Sequence, residues 1–348
     1  MIRDKDFYKT IFAIAIPIAL QNLITFSVSL ADTVMLSRAG ATDELVSAAD
    51  LANRFIFLLI MALIGLTGGG MALASQYWGK GDIAAIRKIT AMILHMGFAI
   101  SFFTGIILLA FPESVMGIFT KDAVIIERGA EYLSIVGWSC FLFGISFLLM
   151  NMLRSVEVVR FALFADITAL CISVFLNWVL IFGNLGFPAL GIRGAATSTL
   201  IARTVGFLII CVYVFVFDKK MKFRLKNIFV FDFPLFKDIL KYGLPVLANQ
   251  MAWATGVTVQ AIIIGRIDYS VGDFVAANAA VSVIFQMFMV AMFGAGSAAL
   301  IIIGKTIGAG EFAIAKEKAA TLFKLAAIMG TFSCVTILLT RGAILKIF

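Results

Sequence analysis

Apolar residues arrive along this chain in long unbroken runs, separated by short stretches of charge, glycine and proline. Nine such runs are read, near residues 11–36, 51–77, 89–111, 132–153, 161–182, 191–217, 239–264, 276–303 and 319–339. Each reaches the length of about 20 residues that one helical crossing of a bilayer needs. Lipid offers the backbone no hydrogen-bond partner, so every run is expected to be helical. A membrane β-barrel would show alternating ten-residue strands instead, and continuous runs exclude it. The expected fold class is therefore an all-α integral membrane bundle.

Composition agrees: 62% of the residues are hydrophobic and 14% charged, against about a quarter charged in soluble domains. The net charge of +8 does not imply nucleic acid, because a nucleic-acid face needs clustered cations on a folded surface. Here the cations sit between apolar runs. Most of them, including Arg3, Lys5, Lys9, Lys80, Arg87, Lys88, Lys305 and Lys316, fall on one side if the N-terminus is cytoplasmic. That follows the positive-inside bias and predicts a multi-pass protein of the plasma (inner) membrane. The linker "KKMKFRLKNIFVF" reads as a cytoplasmic connector lying on the headgroups, with an anionic-lipid seat as the alternative. Cys140, Cys171, Cys211 and Cys334 all fall inside spans and read as small core residues rather than a disulfide framework. The first run is too long for a signal-peptide core and is expected to stay as a span.

An internal repeat orders the runs. "FYKTIFAIAIPIALQN" from Phe7 matches "LFKDILKYGLPVLANQ" from Leu235 at an offset of 228, pairing Pro17 with Pro245. "QYWGKGDIAAIRK" matches "KTIGAGEFAIAKE" at 229, pairing Gly79 with Gly308, Gly81 with Gly310 and Asp82 with Glu311. An even number of spans separates the copies, so both enter from the same side, a parallel repeat about an axis along the membrane normal. The expected organisation is a six-helix lobe over 1–217, a linker over 218–236 and three helices of a second lobe over 237–348. Nine of twelve expected helices are then in the chain.

Asp32 is the residue the pattern makes hardest to explain. A carboxylate at membrane depth costs about 2.5–3.5 kcal/mol or more and marks a functional site by default. The alternative is that it snorkels to the outer interface near Arg38. Gln21 and Asn22 follow the first proline, Asn249 and Gln250 the second, and Asn177 lies in the fifth span. These amides could line a substrate pathway or only join helices by hydrogen bonds. Pro17 and Pro245 each free a backbone carbonyl and permit a bend, with static kinks as the alternative. "GLTGGG" from Gly65 and "GAGSAA" from Gly294 allow close helix approach. Asp166 is embedded without further distinction, and His95 stands alone at a span start. No metal-ligand or nucleophile constellation is read, so neither an enzyme nor a cofactor is expected.

"PIALQNLITFSVSLADTVMLSRAG", "ASQYWGKGD", "FLNWVLIFGNLGFPALGIRGAATSTLIAR", "GLPVLANQMAW" and "IGKTIGAGE" resemble the multidrug and toxic compound extrusion (MATE) transporters over almost the whole chain. The resemblance implies two lobes around a central cavity that opens alternately to the two sides. It implies export of bulky, often cationic, amphipathic compounds driven by entry of Na⁺ or H⁺. It places cation coupling on Asp32, with Asn177, Thr199 and Ser173 beside it, and no metal beyond Na⁺ at Asp32. Partners are small amphipathic substrates and membrane lipids, with no nucleic acid. The unit would be a monomer if complete and a complementing fragment if the gene is split. Two departures stand out: Asn177 is neutral where some members carry aspartate, and the fifth residue after Pro245 is Gln250 rather than an acid. The alternatives are a non-transporting remnant or split-gene subunit, and a lipid-linked sugar flippase whose cavity cations would be Arg54 and Arg203.

Overall fold

The computed structural model describes residues 4–39, 43–266 and 272–344, without the side chains of 29–30, 43, 261–262, 264–266, 272–284, 286–288, 337 and 340–344. Arg3, one of the cations used for orientation, lies outside them. The described residues form α1 (Lys5–Arg38), α2 (Asp43–Lys80), α3 (Ile83–Ala110), the short α4 (Pro112–Gly117), α5 (Ala123–Ser155), α6 (Arg160–Leu180) and α7 (Ile192–Val212). A π turn (Tyr213–Phe217) extends α7, and α8 (Leu225–Ile228), α9 (Phe233–Arg266), α10 (Gly272–Gly308) and α11 (Phe312–Ile344) follow. Each of the nine expected runs corresponds to a long helix, most reaching beyond the apolar core, while α3 and α6 stop one or two residues short of theirs and the π turn completes the run of α7.

Among the described residues eight of these helices are long and apolar enough to cross a membrane. The other long helix is α9, whose Asn249, Gln250, Thr255, Thr258 and Gln260 dilute its hydropathy. Local chemistry sets the helix starts. Asp82 accepts a hydrogen bond from the Ala85 N–H and Asp122 accepts from the Val124 and Ile125 N–H groups. Each satisfies donors that a helix start leaves open.

The repeat persists at the level of single hydrogen bonds. The Gly81 N–H bonds the Trp78 carbonyl and the Asp82 N–H the Tyr77 carbonyl. At an offset of 229, the Gly310 N–H bonds Ile307 and the Glu311 N–H bonds Thr306. Gly81 and Gly310 have φ of 76° and 83°, the left-handed closure in which only glycine is free of strain.

In the first copy of the repeat α5 packs on α2, α3 and α7, and α6 packs on α1 and α7. The second copy docks on it with swapped partners: α1 packs on α10, α9 packs on α2, and α2 meets α10. The close approaches are reciprocal. A Cβ at Gly79 would lie 2.0 Å from the Lys305 carbonyl oxygen, and one at Gly308 would lie 1.8 Å from the Gln76 carbonyl oxygen. A Cβ at Gly65 would likewise meet Leu247, and one at Gly294 would meet Ala15 and Ala19. Helices can come this near only where side chains are absent. The Gly79 and Gly308 approaches lie at the linker end of the bundle, where Lys305 pairs with Glu157 and Lys220 donates to the Val156 carbonyl.

The linker is tied down rather than simply laid across the surface. Met221 and Phe223 are buried, and the Asp218 carboxylate accepts from the Lys220, Met221 and Lys222 N–H groups. Arg87 donates to the Met221 carbonyl, and Lys88 pairs with Asp232 at 2.9 Å. Leu225, Phe229, Phe231 and Phe233 point outward. Of the four cysteines Cys140 is buried, whereas Cys171 and Cys334 are exposed. The expectation of four core residues is corrected because a helix at the lipid face exposes apolar residues without penalty.

Candidate functional site

The site forms where α1, α6 and α7 meet in the first lobe. α6 and α7 are joined by a tight glycine-rich turn in which the Leu190 N–H returns to the Leu180 carbonyl at 2.8 Å. A Cβ at Gly194 would lie 2.6 Å from that same carbonyl oxygen. The bare backbone at Gly194 lets the first turn of α7 press against the end of α6. Ser198 and Thr199 lie one turn further along α7, and Asn177 lies one turn before the end of α6.

α1 supplies Asp32, which is 4% exposed. The Asn177 Nδ2 donates to its Oδ1 and the Thr199 hydroxyl donates to its Oδ2 at 3.3 Å. Ser198 in turn donates to the Asn177 Oδ1. The carboxylate is thus turned toward α6 and α7, not toward the exposed Arg38. Asn177 and Ser198 are fully buried, so ordered solvent does not stand in for these contacts. Ser173 lies one turn below Asn177 on α6; its hydroxyl is buried and has no hydrogen-bond partner.

Further polar groups lie behind. Arg203, one turn past Thr199, donates to the Ser139 hydroxyl at 2.9 Å and stacks 4.7 Å from the Phe143 ring centroid, within coulombic reach of Asp32. The Tyr132 hydroxyl donates to Asn53 at 3.3 Å and sits against Thr199. Sequence reading did not single out Ser198, Tyr132 or Asn53. The doublet "ST" at helical spacing below Gly194 was the available signal for Ser198. Tyr132 and Asn53 carry no local signal, because only the packing of α5 on α2 and α7 brings them here.

The other candidate residues lie elsewhere. Gln21, three turns from Asp32 on α1, is 1% exposed and neither of its amide atoms has a partner. Asn22 and Gln250 are half-buried and Asn249 is exposed. Pro17 and Pro245 sit inside continuous helices, two residues beyond Ala15 and Gly243, which make the reciprocal crossings with Gly294 and Gly69. Among the described residues no group of three or more His, Cys, Asp or Glu could hold a metal.

The family model described as MatE matches residues 17–179 and again 245–348. The chain belongs to the MatE family. The two matches begin at the two repeat prolines, so the family unit and the internal repeat share one register. A "Probable multidrug resistance protein NorM" of Mesorhizobium japonicum is 28% identical over 302 residues, covering 86% of this MatE chain and 63% of that protein. One of the same name from Thermotoga maritima is 27% identical, covering 72% and 53%. The chain therefore spans about half to two thirds of the length of these curated relatives. A solved structure titled as the outward-facing conformation of a multidrug resistance MATE family transporter of the MOP superfamily superposes with a TM-score of 0.83. It is 21% identical and is covered over 74% of its length by 98% of this chain. The likeness establishes the MatE fold.

Proposed function

We propose that this chain forms the ion-coupled part of a secondary active efflux transporter that exports amphipathic or cationic compounds in exchange for Na⁺ or H⁺. The observation that carries the reading is the Asp32 carboxylate, buried between three helices and held by Asn177 and Thr199. A buried carboxylate without a paired cation is costly, which makes uptake of a positive ion at this point favourable. Neutralising Asp32 changes which side chains α1 must face. α1 is also the helix that crosses α10 of the other lobe, so ion occupancy is linked to how the lobes meet. An ion gradient then drives export through the differential affinity of two conformations for ion and substrate.

In this reading the linker side is cytoplasmic, the protein lies in the inner membrane, and 1–217 and 237–348 are the two lobes. Gln21, Asn22, Asn249 and Gln250 line the substrate path, and Pro17 and Pro245 permit the bends at the crossings. The sugar-flippase alternative is disfavoured because Arg54 is engaged by Asp50 and Arg203 by Ser139. The test is efflux of a fluorescent cation from vesicles, with Na⁺ and pH gradients imposed independently. Asp32→Asn is expected to abolish gradient-driven efflux while membrane insertion is unchanged. Undiminished efflux in the variant refutes the assignment.

A further inference from the structure

We propose that Ser198 is a positioning residue that sets which end of the Asn177 amide faces Asp32, and thereby whether the pocket accepts Na⁺. The inference rests on the coupling role proposed for Asp32.

In the observed arrangement every group aimed at Asp32 is a donor: the Asn177 Nδ2 and the Thr199 hydroxyl. That suits an empty, ionised carboxylate. It does not suit a metal cation, which binds oxygen and is repelled by an NH₂ group. Asn177 could add its own oxygen to a Na⁺ site only by turning its amide over, and that would aim its NH₂ at Ser198.

Ser198 is built to accept either face. Its hydroxyl has one hydrogen and two lone pairs, and two acceptors lie in reach: the Asn177 Oδ1 and the Ala195 carbonyl at 2.9 Å. With the pocket empty, the hydrogen goes to Asn177. With Na⁺ bound, it goes to Ala195, an ordinary partner for a helix serine, and the Ser198 oxygen accepts from the turned Asn177 NH₂. The Asn177–Ser198 contact is thus kept in both states, between two side chains that are fully buried.

A proton does not require the turn. It can sit on the Asp32 Oδ2, with the Thr199 hydroxyl changing from donor to acceptor, while Asn177 keeps donating to Oδ1. Arg203 from α7 and Tyr132 from α5 are the other charged or titratable groups acting on Asp32, and neither touches the outer end of the Asn177 amide. Ser198 therefore separates the two coupling ions: it supports Na⁺ and is indifferent to H⁺.

Removing the hydroxyl leaves the outer end of Asn177 unpaired in both states, but unequally. The empty state orphans a carbonyl oxygen and the Na⁺ state orphans an N–H, and buried orphan N–H groups are the less tolerated of the two. Ser198→Ala should thus weaken Na⁺ by about three- to tenfold.

The experiment measures radiolabelled Na⁺ binding to the purified chain. In parallel it follows the pH midpoint of the infrared carboxyl band that is lost in Asp32→Asn. Ser198→Ala is expected to raise the half-saturating Na⁺ concentration with the carboxyl midpoint unmoved, and Ser198→Thr, which keeps the hydroxyl, to restore Na⁺ binding. Unchanged Na⁺ affinity in Ser198→Ala overturns the inference, as does an equal disturbance of both readouts. Absence of Na⁺ binding by the unmodified chain overturns it too, while proton coupling at Asp32 stands. Na⁺ binding that survives Asp32→Asn instead removes the parent reading.

Discussion

The close approach of α2 and α10 at the linker end depends on two glycines that the repeat places in register, and replacing either by alanine should push the two helices apart there. A Cβ at Gly79 or Gly308 would sit 2.0 or 1.8 Å from a backbone carbonyl oxygen of the opposite helix, whereas ordinary contact begins at 3.4 Å. Neither oxygen belongs to a side chain that can rotate away. The helices must separate by about 1.5 Å at the crossing, an overpacking that costs about 1–3 kcal/mol. The helix propensity gained from Gly→Ala, about 1 kcal/mol, acts on closed and open states alike and cancels. A differential of that size moves a two-state equilibrium about five- to 150-fold. The assay is the distance distribution between spin labels at the exposed Arg160 and Lys316, in a background lacking the four cysteines. Gly308→Ala and Gly79→Ala should both broaden it toward longer distances. Gly296→Ala, on the same helix with open space around its Cβ position, should not. A distribution unchanged in Gly308→Ala, or shifted equally in Gly296→Ala, refutes the reasoning.

The other expected outcomes concern the same end of the bundle. Glu157, at a φ of 61°, reaches Lys305 of the second lobe at 2.7 Å, while Lys220 of the linker donates to the Val156 and Glu157 carbonyls. Lys305 is nearly half exposed, so the pair contributes only ~0.2–1 kcal/mol after solvent screening. Glu157→Gln and Lys305→Gln should each shift the label distances by less than about fivefold in population and be non-additive when combined; additivity would show that the pair does not couple the lobes. Asp232 is held below the ordinary aspartate range by its hydrogen bond from Lys88, with further help from the Leu235 N–H. A carboxylate with a depressed folded value stabilises docking above its unfolded pKa, and that contribution is lost as pH falls through the lower folded value. Hydrogen exchange of linker amides should therefore be constant from neutral pH down to about pH 4 once corrected for intrinsic rate. Asp232→Asn should raise it at neutral pH, and no rise would mean that the linker is held by its other contacts, through Met221, Phe223, Arg87 and Asp218.

How far the sequence carried the fold differs by feature. Helix number and order were legible because lipid forces both the length of each apolar run and its conformation. The repeat was legible because its proline and glycine–acid pattern is chemically specific, and hydrogen bonds at Gly81 and Gly310 later matched in register. α4, α8 and the π turn were not legible, since each is a single turn or two placed by its neighbours. Asp32 drew attention through cost, Asn177 as an amide inside the fifth span, and Thr199 through resemblance. What no linear pattern held was the direction of hydrogen bonding between them. That direction depends on Gly194 bringing α7 against α6, and on which hydroxyl of the "ST" doublet then meets the amide.

The repeat also shows where duplication of the scaffold stopped short of duplicating its chemistry. Shifted by 228, Arg38 falls on Arg266 and Pro17 on Pro245, but Asp32 falls on Gln260. α1 and α9 are each 34 residues long and make mirrored crossings through Ala15 and Gly243. The two copies are thus alike at the interface. At the depth of the carboxylate they differ by a full charge, and Gln260 is exposed where Asp32 is buried. A neutral amide carries no charge for a cation to neutralise. In the proposed reading, ion occupancy acts on α1 without a matching event on α9, so the junction of α1 with α10 is biased while that of α9 with α2 is not.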